Sequence, residues 1–201
     1  MKCFKCKKKA GIIYLPPIPG KLCNSCFLKL IEKRVRREVR FKKLFSREDH
    51  ILILDDKTKE SFVTQHLLRS ILKHLGVTFF IFEIENRFDL DEKKLSAIVK
   101  TGSIDKIVLP WSLDDEVEYF LSKMFTKLEL EKQKKPPRIR LLRNVSEKEI
   151  ETFAKIKRYK YKKSKPYNKD IGEMLDKLEK KHPGVKFSVL KSFDGLVEML
   201  K

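Results

Sequence analysis

The sequence predicts an α/β protein in which a small N-terminal ribbon precedes a domain built on a parallel sheet. Two pairs of cysteines near the start of the chain indicate the ribbon, and from residue 48 onwards short apolar runs alternate with helical patterns. Such alternation implies parallel strands joined by right-handed crossovers, with helices on both faces of the sheet. We therefore divide the chain into a ribbon (1–28), a basic linker helix (29–47) and an α/β domain (48–201) whose C-terminal region is helical and basic.

The ribbon holds all four cysteines of the chain, in two Cys-x-x-Cys pairs: Cys3, Cys6, Cys23 and Cys26. This spacing is typical of a structural zinc site, because each pair offers two thiolates and a turn over residues 16–20 brings the pairs together. Four incidental thiols, two disulfides or a redox-active pair are the alternatives. The chain opens with Met-Lys-Cys and no secretory signal is apparent, so we expect reduced cysteines that bind zinc in the cytoplasm.

The second informative feature is the charge. The chain of 201 residues carries 47 Lys and Arg against 28 Asp and Glu, a net charge of +19. Such an excess favours a polyanionic partner, of which nucleic acid is the usual one. An anionic membrane is disfavoured, because the basic stretches lack a wide apolar face and no apolar run is long enough to span a bilayer. A surface that is simply rich in lysine is the remaining alternative.

The basic residues form clusters. Residues 29–47 contain nine basic residues and two acids, and residues 155–169 contain eight basic residues and no acid, interleaved with Tyr159, Tyr161 and Tyr167. Phosphates attract the cations, and unpaired bases stack on tyrosines, so this pattern indicates RNA binding. The predicted RNA-binding residues are Arg34, Arg36, Arg37, Arg40, Lys157, Arg158, Lys160, Lys162 and Lys163. A third cluster consists of Lys132, Lys134, Lys135, Arg138, Arg140 and Arg143.

Four apolar runs predict the strands of the sheet, over residues 50–54, 77–84, 105–110 and 138–142. The first run suits a strand that is buried on both faces. Predicted helices cover residues 25–45, 90–100, 113–125, 146–157 and 169–181, with a further helix that follows the first strand and ends at Gly76. A short segment after Pro183-Gly184 completes the chain. Ligands of parallel sheets bind beyond the carboxyl ends of the strands, so the loops after the first and third strands are the expected site.

The loop after the third strand runs into an acidic turn made of Leu113, Asp114, Asp115 and Glu116. Helix capping is one explanation, since Ser112 is a suitable N-cap and acids in a first turn complement the helix dipole. The sequence LDDE also resembles the second signature of the PP-loop ATP pyrophosphatases that thiolate tRNA, where it usually reads GHNLDDE. In that family, as here, a ribbon with paired cysteines precedes the domain, and a strand, an SEKEI-like helix start (146–150) and a closing segment (183–188) follow it. The resemblance covers nearly the whole chain and implies a PP-loop (HUP-like) domain.

The departures from the family pattern concern catalysis. Active members have SGGKDS after the first strand, where glycines let backbone N–H groups approach the ATP phosphates. The corresponding loop here consists of Asp56, Lys57, Thr58, Lys59, Glu60 and Ser61. Both glycines are missing, and the carboxylates of Asp55 and Asp56 lie where phosphate is expected. Pro110-Trp111-Ser112 replaces GHN, and we expect Trp111 to fill the space of the adenine. No cysteine follows Cys26, so the iron–sulfur or sulfur-carrying cysteines of active members are absent.

The resemblance therefore implies a degenerate PP-loop protein: a non-catalytic, zinc-binding, tRNA-binding subunit or homologue in wobble-uridine 2-thiolation. Its implied partners are tRNA, a catalytic PP-loop thiolase paralogue or a second copy of itself, and a ubiquitin-like sulfur carrier. Two alternatives remain. Lys59, Ser61 and LDDE favour an active ATP-dependent tRNA sulfurtransferase, and the ribbon with its charge also fits a general zinc-ribbon nucleic-acid-binding protein.

Overall fold

The computed structural model describes residues 1–16, 18–126 and 135–199. Pro17 of the predicted turn, and Lys132 and Lys134 of the third basic cluster, lie outside the described residues. The ribbon contains two short antiparallel strands, β1 (Ile13–Tyr14) and β2 (Lys21–Leu22). The linker helix α1 (Asn24–Phe41) begins directly after Cys23. It ends four residues before the predicted end at residue 45, and Lys43 just beyond it has a left-handed φ of 48°.

The α/β domain alternates strands and helices as the sequence predicts, and its strand bounds lie within two residues of the predicted ones. Its elements are β3 (His50–Asp55), α2 (Lys59–Leu72), β4 (Thr78–Glu83), α3 (Glu92–Thr101), β5 (Lys106–Ser112), α4 (Leu113–Phe125), β6 (Arg138–Leu142), α5 (Glu147–Lys157), α6 (Lys169–Lys181) and α7 (Val185–Met199).

The four strands form one parallel sheet in the order β4-β3-β5-β6. The middle of β3 is buried on both faces, as predicted, because its side chains alternate between two apolar layers. Ile51 and Ile53 join the layer that contains α1, α2 and α5, whereas Leu52 and Leu54 join the layer that contains Leu95 of α3. The α/β class, with helices on both faces of a parallel sheet, is confirmed.

Helix α1 is packed along one side. Ile31, Val35 and Val39 are buried against the α/β domain, in the same apolar layer as Phe153 of α5. These residues are three to four positions apart, so they lie on one face of the helix, and the charged residues occupy the other faces. Helix α1 therefore carries one narrow apolar stripe, which packs against the α/β domain.

Two predictions about helix ends were wrong. The helix after β3 ends at Leu72 rather than at Gly76, which lies in the following turn with φ +65°. The predicted short C-terminal segment is a full helix, α7, whose Phe193 ring centroid is 4.4 Å from that of Phe120 in α4. Within the described residues, no helix combines the length and the apolar character that crossing a membrane requires.

Candidate functional site

The four cysteines lie together and form a candidate metal centre. Their sulfur atoms are all within 4.8 Å of one another, and the Sγ atoms of Cys6 and Cys23 are 3.8 Å apart. Thiolates that bind one zinc ion tetrahedrally at about 2.3 Å lie about 3.8 Å from each other. The arrangement of the four sulfurs therefore fits a bound metal ion, and the predicted metal-ligating set is brought together.

The fold of the ribbon prepares these thiols for metal binding. The backbone N–H of Cys23 donates to Sγ of Cys3 at 3.2 Å. Backbone N–H groups, first that of Cys6, lower the pKa of Cys3 to about 6, so its thiolate forms readily. Burial raises the pKa of Cys26 to about 12, which makes its thiolate dependent on a nearby cation. A bound metal ion supplies that cation, because coordination deprotonates a thiol.

The loop that corresponds to SGGKDS (56–61, the degenerate loop) is closed by its own side chains. Oδ1 of Asp56 accepts hydrogen bonds from the hydroxyls of Thr58 and Ser61, at 2.6 and 2.7 Å, and from the backbone N–H of Thr58 at 3.1 Å. Lys57 between them has a left-handed φ of 61°, a conformation that glycine adopts without strain. The polar groups of the loop thus point at each other instead of remaining free for a ligand.

Arg87, which sequence reasoning did not single out, lies at the centre of the site. It follows β4, is only 4% exposed, and its guanidinium is surrounded by three carboxylates. One terminal nitrogen donates to Glu60 at 3.1 Å and lies 3.4 Å from Asp56, and the other donates to Asp115 at 3.0 Å. The same guanidinium donates to the Thr58 hydroxyl at 3.2 Å. A single side chain therefore connects the degenerate loop with the acidic turn 113–116.

The carboxylates around Arg87 differ in their electrostatics. Burial alone raises the pKa of Glu60, but the charges of Arg87 and Lys59 outweigh it and hold that pKa below its ordinary value. Burial raises the pKa of Asp115 to about 6, in spite of its ion pair with Arg87. Three acids face two cations, Arg87 and Lys59, so the site keeps a local excess of negative charge and is poorly suited to a phosphate group.

The acidic turn is fully used within the fold. Ser112 and Asp115 form a reciprocal capping box, which confirms the capping explanation. Asp114 pairs with Lys186 of α7, and Glu116 pairs with the guanidinium groups of Arg140 and Arg143. None of the three acids remains unpaired, so this turn holds α4 against β6 and α7.

Trp111 lies beside this network and fills a crevice. It is 5% exposed, and its indole N–H donates to the backbone carbonyl of Arg87 at 3.3 Å. The rings of Phe88 and Tyr119 contact it edge-to-face, at centroid distances of 5.4 and 5.3 Å, and Tyr167 packs on the same group. An aromatic cluster thus occupies the space next to the loops that follow β4 and β5.

The basic segment 155–169 runs along the degenerate loop. The backbone N–H of Lys162 donates to the carbonyl of Lys57 at 2.8 Å, and the hydroxyl of Ser164 donates to Glu60 at 2.9 Å. Ser164 also accepts from Nζ of Lys59 at 2.8 Å. The segment therefore adds a further layer of hydrogen bonds over the loop, while the side chains of Lys162 and its neighbour Lys163 remain exposed.

The predicted RNA-binding residues divide into two groups. Arg34 is used internally, because it donates to both carboxylate oxygens of Glu149 at 2.8 Å, and Arg36 pairs with Glu32 on its own helix. The exposed group consists of Arg37, Arg40, Lys157, Arg158, Lys160, Lys162 and Lys163.

Two of the tyrosines predicted to stack on bases instead pack within the fold. Tyr159 stacks on Phe62 with 5.6 Å between ring centroids, and its hydroxyl forms a 2.8 Å hydrogen bond with His66. Tyr167 belongs to the aromatic cluster around Trp111. The interleaving of tyrosines with lysines therefore reflects packing of the segment against α2 and the sheet, and not a row of free ring faces.

Fold and site together define a class of protein: a cysteine-based metal-binding ribbon joined to a parallel α/β domain whose strand-end loops are closed by an internal arginine. No family model matches the chain, and no curated protein matches it. Among solved structures the chain is similar to the U34-tRNA thiolase NcsA from Methanococcus maripaludis with its [4Fe-4S] cluster, with a TM-score of 0.79. The likeness covers 98% of this chain and 87% of the thiolase at 21% sequence identity, and it establishes a shared fold.

Proposed function

We propose that this protein is a non-catalytic, zinc-binding, tRNA-binding subunit or homologue in the 2-thiolation of the tRNA wobble uridine, and that it acts in the cytoplasm. The fold it shares with a U34-tRNA thiolase supports the pathway, because the likeness extends from the ribbon to the last helix. The single observation that carries the non-catalytic role is the position of Arg87 among Asp56, Glu60 and Asp115.

The Arg87 network opposes nucleotide binding for a physical reason. A triphosphate at the end of β3 needs backbone N–H groups and cations that are free to receive it. Here the cations at the loop, Lys57, Lys59 and Arg87, are already held in ion pairs, and the loop carries two carboxylates of its own, those of Asp56 and Glu60. A phosphate would have to break buried ion pairs and then approach the released carboxylates, and both steps cost free energy.

Zinc is the metal that best fits the four sulfurs. In an iron–sulfur cluster with four irons, each cysteine binds a different iron, so the four Sγ atoms lie farther apart than they do around a single ion. The 3.8 Å between the Sγ atoms of Cys6 and Cys23 suits one tetrahedral ion. Cys3, Cys6, Cys23 and Cys26 would hold the zinc, and its role would be to fix the ribbon on α1. All four thiolates are then occupied, so the zinc has no open position for a substrate.

Binding of tRNA is supported by the exposed cations of α1 and of the basic segment. Arg37 and Arg40 point away from the packed side of α1, and Lys160, Lys162 and Lys163 are exposed without an acid in their segment. Phosphate contacts of this type confer affinity without sequence readout. We assign Arg34 and Arg36 to the fold rather than to RNA contact, because both are held in ion pairs.

A partner must supply the chemistry if this chain does not. It would be a catalytic PP-loop thiolase paralogue or a second copy of the same chain, with a ubiquitin-like sulfur carrier delivering sulfur. The absence of any cysteine after Cys26 supports this division of labour, because no thiol of the α/β domain can receive sulfur.

Two measurements test the proposal. Affinity purification of the tagged protein from its native cells is expected to recover tRNA together with a chain that carries an intact SGGKDS loop. Filter binding of purified tRNA over a range of salt concentrations is expected to show a steep decrease of affinity with salt. Recovery of DNA in place of tRNA would support a general nucleic-acid-binding protein, and release of pyrophosphate from ATP would support an active enzyme.

A further inference from the structure

The edge of the sheet at β4 is open. β4 pairs only with β3 in the part of the chain that the structure describes, and it ends the strand order β4-β3-β5-β6. The N–H groups of Thr78 and Ile84 donate to β3, at the carbonyls of Asp49 and Asp55. Because backbone groups alternate along a strand, those of the intervening Phe79, Ile81 and Glu83 face outwards.

The side chains at this edge are apolar and partly exposed. Ile81 is 46% exposed and projects on the face of Phe79, whereas Phe80 is 38% exposed and lies on the opposite face against the ring of His50. Glu83 at the end of β4 is the only charged residue in the strand TFFIFE. Natural sheets usually protect an edge with lysine, proline or a bulge, and β4 has none of these.

The opposite edge of the same sheet shows the contrast. β6 is preceded by Pro136 and Pro137 and carries Arg138 and Arg140, both of which form ion pairs. Charge and proline at an edge discourage the addition of another strand. Proline and arginine therefore protect the β6 edge, whereas β4 contains neither and remains able to pair with another strand.

We propose that β4 pairs with β4 of a second copy of this chain, antiparallel and across a two-fold axis at Ile81. This register makes Ile81 face Ile81 and Phe79 face Glu83, so all three outward-facing residues of the strand enter the hydrogen-bond ladder. Centring the axis on Phe80 would leave Glu83 opposite Val77, outside the strand. The result is a continuous eight-stranded sheet in which Ile81 and Phe80 become buried on opposite faces.

The charges that flank β4 are complementary in this arrangement. Glu85 is exposed beyond its carboxyl end, where Glu83 already pairs with Lys57, and Lys73 is exposed at the turn before its amino end. The antiparallel two-fold brings the carboxyl end of one copy beside the amino end of the other, so acids approach bases twice in the dimer. Parallel pairing of two copies would instead place like charges together. This proposal does not depend on the role in tRNA thiolation.

The test measures the mass of the purified, metal-loaded chain in solution by analytical ultracentrifugation at micromolar concentrations. The wild-type chain is expected to be a dimer, and Ile81→Lys is expected to raise its dissociation constant by about a hundredfold, because it buries two facing lysines. Phe125→Lys, at an exposed apolar residue on the far end of α4, serves as the matched control and should leave the dimer intact. Urea titration at a protein concentration low enough for every chain to be monomeric must show that both variants keep the wild-type midpoint, because association itself stabilises the folded state.

Cross-linking tests the register independently. In a hydrogen-bonded antiparallel pair the two Cα atoms are about 5.5 Å apart, which permits a disulfide. Ile81→Cys is therefore expected to form a covalent dimer on mild oxidation with zinc bound, whereas Phe125→Cys is not. A folded wild-type monomer at tens of micromolar, a dimer that survives Ile81→Lys, or failure of Ile81→Cys to cross-link would each overturn the proposal.

Discussion

The guanidinium of Arg87 lies 3.0 Å from the carboxylate of Asp115 and thereby joins the loop after β4 to the first turn of α4. The same guanidinium contacts Glu60 and Asp56 at the end of β3. Three loops that meet at the carboxyl edge of a parallel sheet normally surround a ligand. In this protein they surround Arg87, whose guanidinium pairs with a carboxylate from each of Asp56, Glu60 and Asp115.

Removal of Arg87 should therefore destabilise the protein strongly. Arg87→Leu leaves three buried carboxylates without their cation, and we expect it to lower the free energy of unfolding by about 3 to 5 kcal/mol. Arg87→Lys keeps the positive charge but loses the several N–H donors of the guanidinium, so it should lower the free energy of unfolding by less than Arg87→Leu does. Urea denaturation measures both. Arg37→Leu, at an exposed arginine on α1, should change the free energy of unfolding by less than about 0.5 kcal/mol.

The ribbon should depend on metal. We expect one zinc ion per chain by elemental analysis, without the visible absorption of an iron–sulfur cluster. Cys26→Ser removes one of four ligands and should abolish stoichiometric zinc and unfold the ribbon, since such sites fold with their metal. Limited proteolysis should then cut within residues 1–28, while the α/β domain stays intact. A stoichiometric iron–sulfur cluster, or a ribbon that keeps its fold after chelation, would contradict this assignment.

Binding of tRNA should depend on the basic segment. The triple variant Lys160→Glu, Lys162→Glu and Lys163→Glu should weaken tRNA binding at low salt, because its side chains no longer neutralise phosphates. The salt slope should fall by about one for each phosphate that the segment ceases to bind. Lys191→Glu on α7 is the matched control at another exposed lysine. Equal affinities and slopes for the triple variant and the wild type would show that this segment does not contact RNA.

Glu118 should make the stability of the protein depend on pH. It is buried on α4, where it accepts the backbone N–H of Asn168 at 3.1 Å, and burial raises its pKa from 4.5 to about 7. Between pH 4.5 and about 7, Glu118 is therefore protonated in the folded state and ionised in the unfolded state. The stabilisation is complete below about pH 4.5 and is lost as pH rises through 7.

Glu118→Gln isolates this effect, because glutamine keeps an acceptor but carries no charge. We expect the variant to match the wild type at pH 4.5 and to exceed its free energy of unfolding by about 1 to 2 kcal/mol at pH 8. Urea denaturation at the two values of pH gives the comparison. If the variant and the wild type differed in free energy of unfolding by the same amount at both values of pH, burial would not raise the pKa of Glu118.

The parts of the fold that depend on local patterns could be predicted from the sequence. The apolar run of β3 and the two Cys-x-x-Cys pairs of the ribbon can each be recognised from a few neighbouring residues. The buried strand and the cluster of four cysteines that they predict are both present in the structure. Helix α7 was missed because Pro183-Gly184 suggested the end of regular structure, while the helix is stabilised by packing against α4, at Phe193 and Phe120. Tertiary contacts of this kind leave no local signal.

The meeting of the strand-end loops could be predicted from the sequence, but the buried arginine between them could not. The loops after β3 and β5 do meet, as expected from parallel strands. Arg87 was overlooked because it is one of 47 basic residues and lies in an irregular turn. A signal did exist: several acids at the ends of adjacent strands require a buried cation, and Arg87 follows the neighbouring strand at the same edge.

Binding of ATP with Mg²⁺ to the purified chain tests the central claim most directly. Trp111 is the only tryptophan of the protein and lies beside the Arg87 network, so its fluorescence reports on ATP binding at this site. Titration calorimetry measures the same binding through the heat released. We predict no saturable signal from either method up to millimolar ATP, and no pyrophosphate release when tRNA is added. Micromolar affinity together with pyrophosphate release from the chain alone would contradict the account and identify an active enzyme.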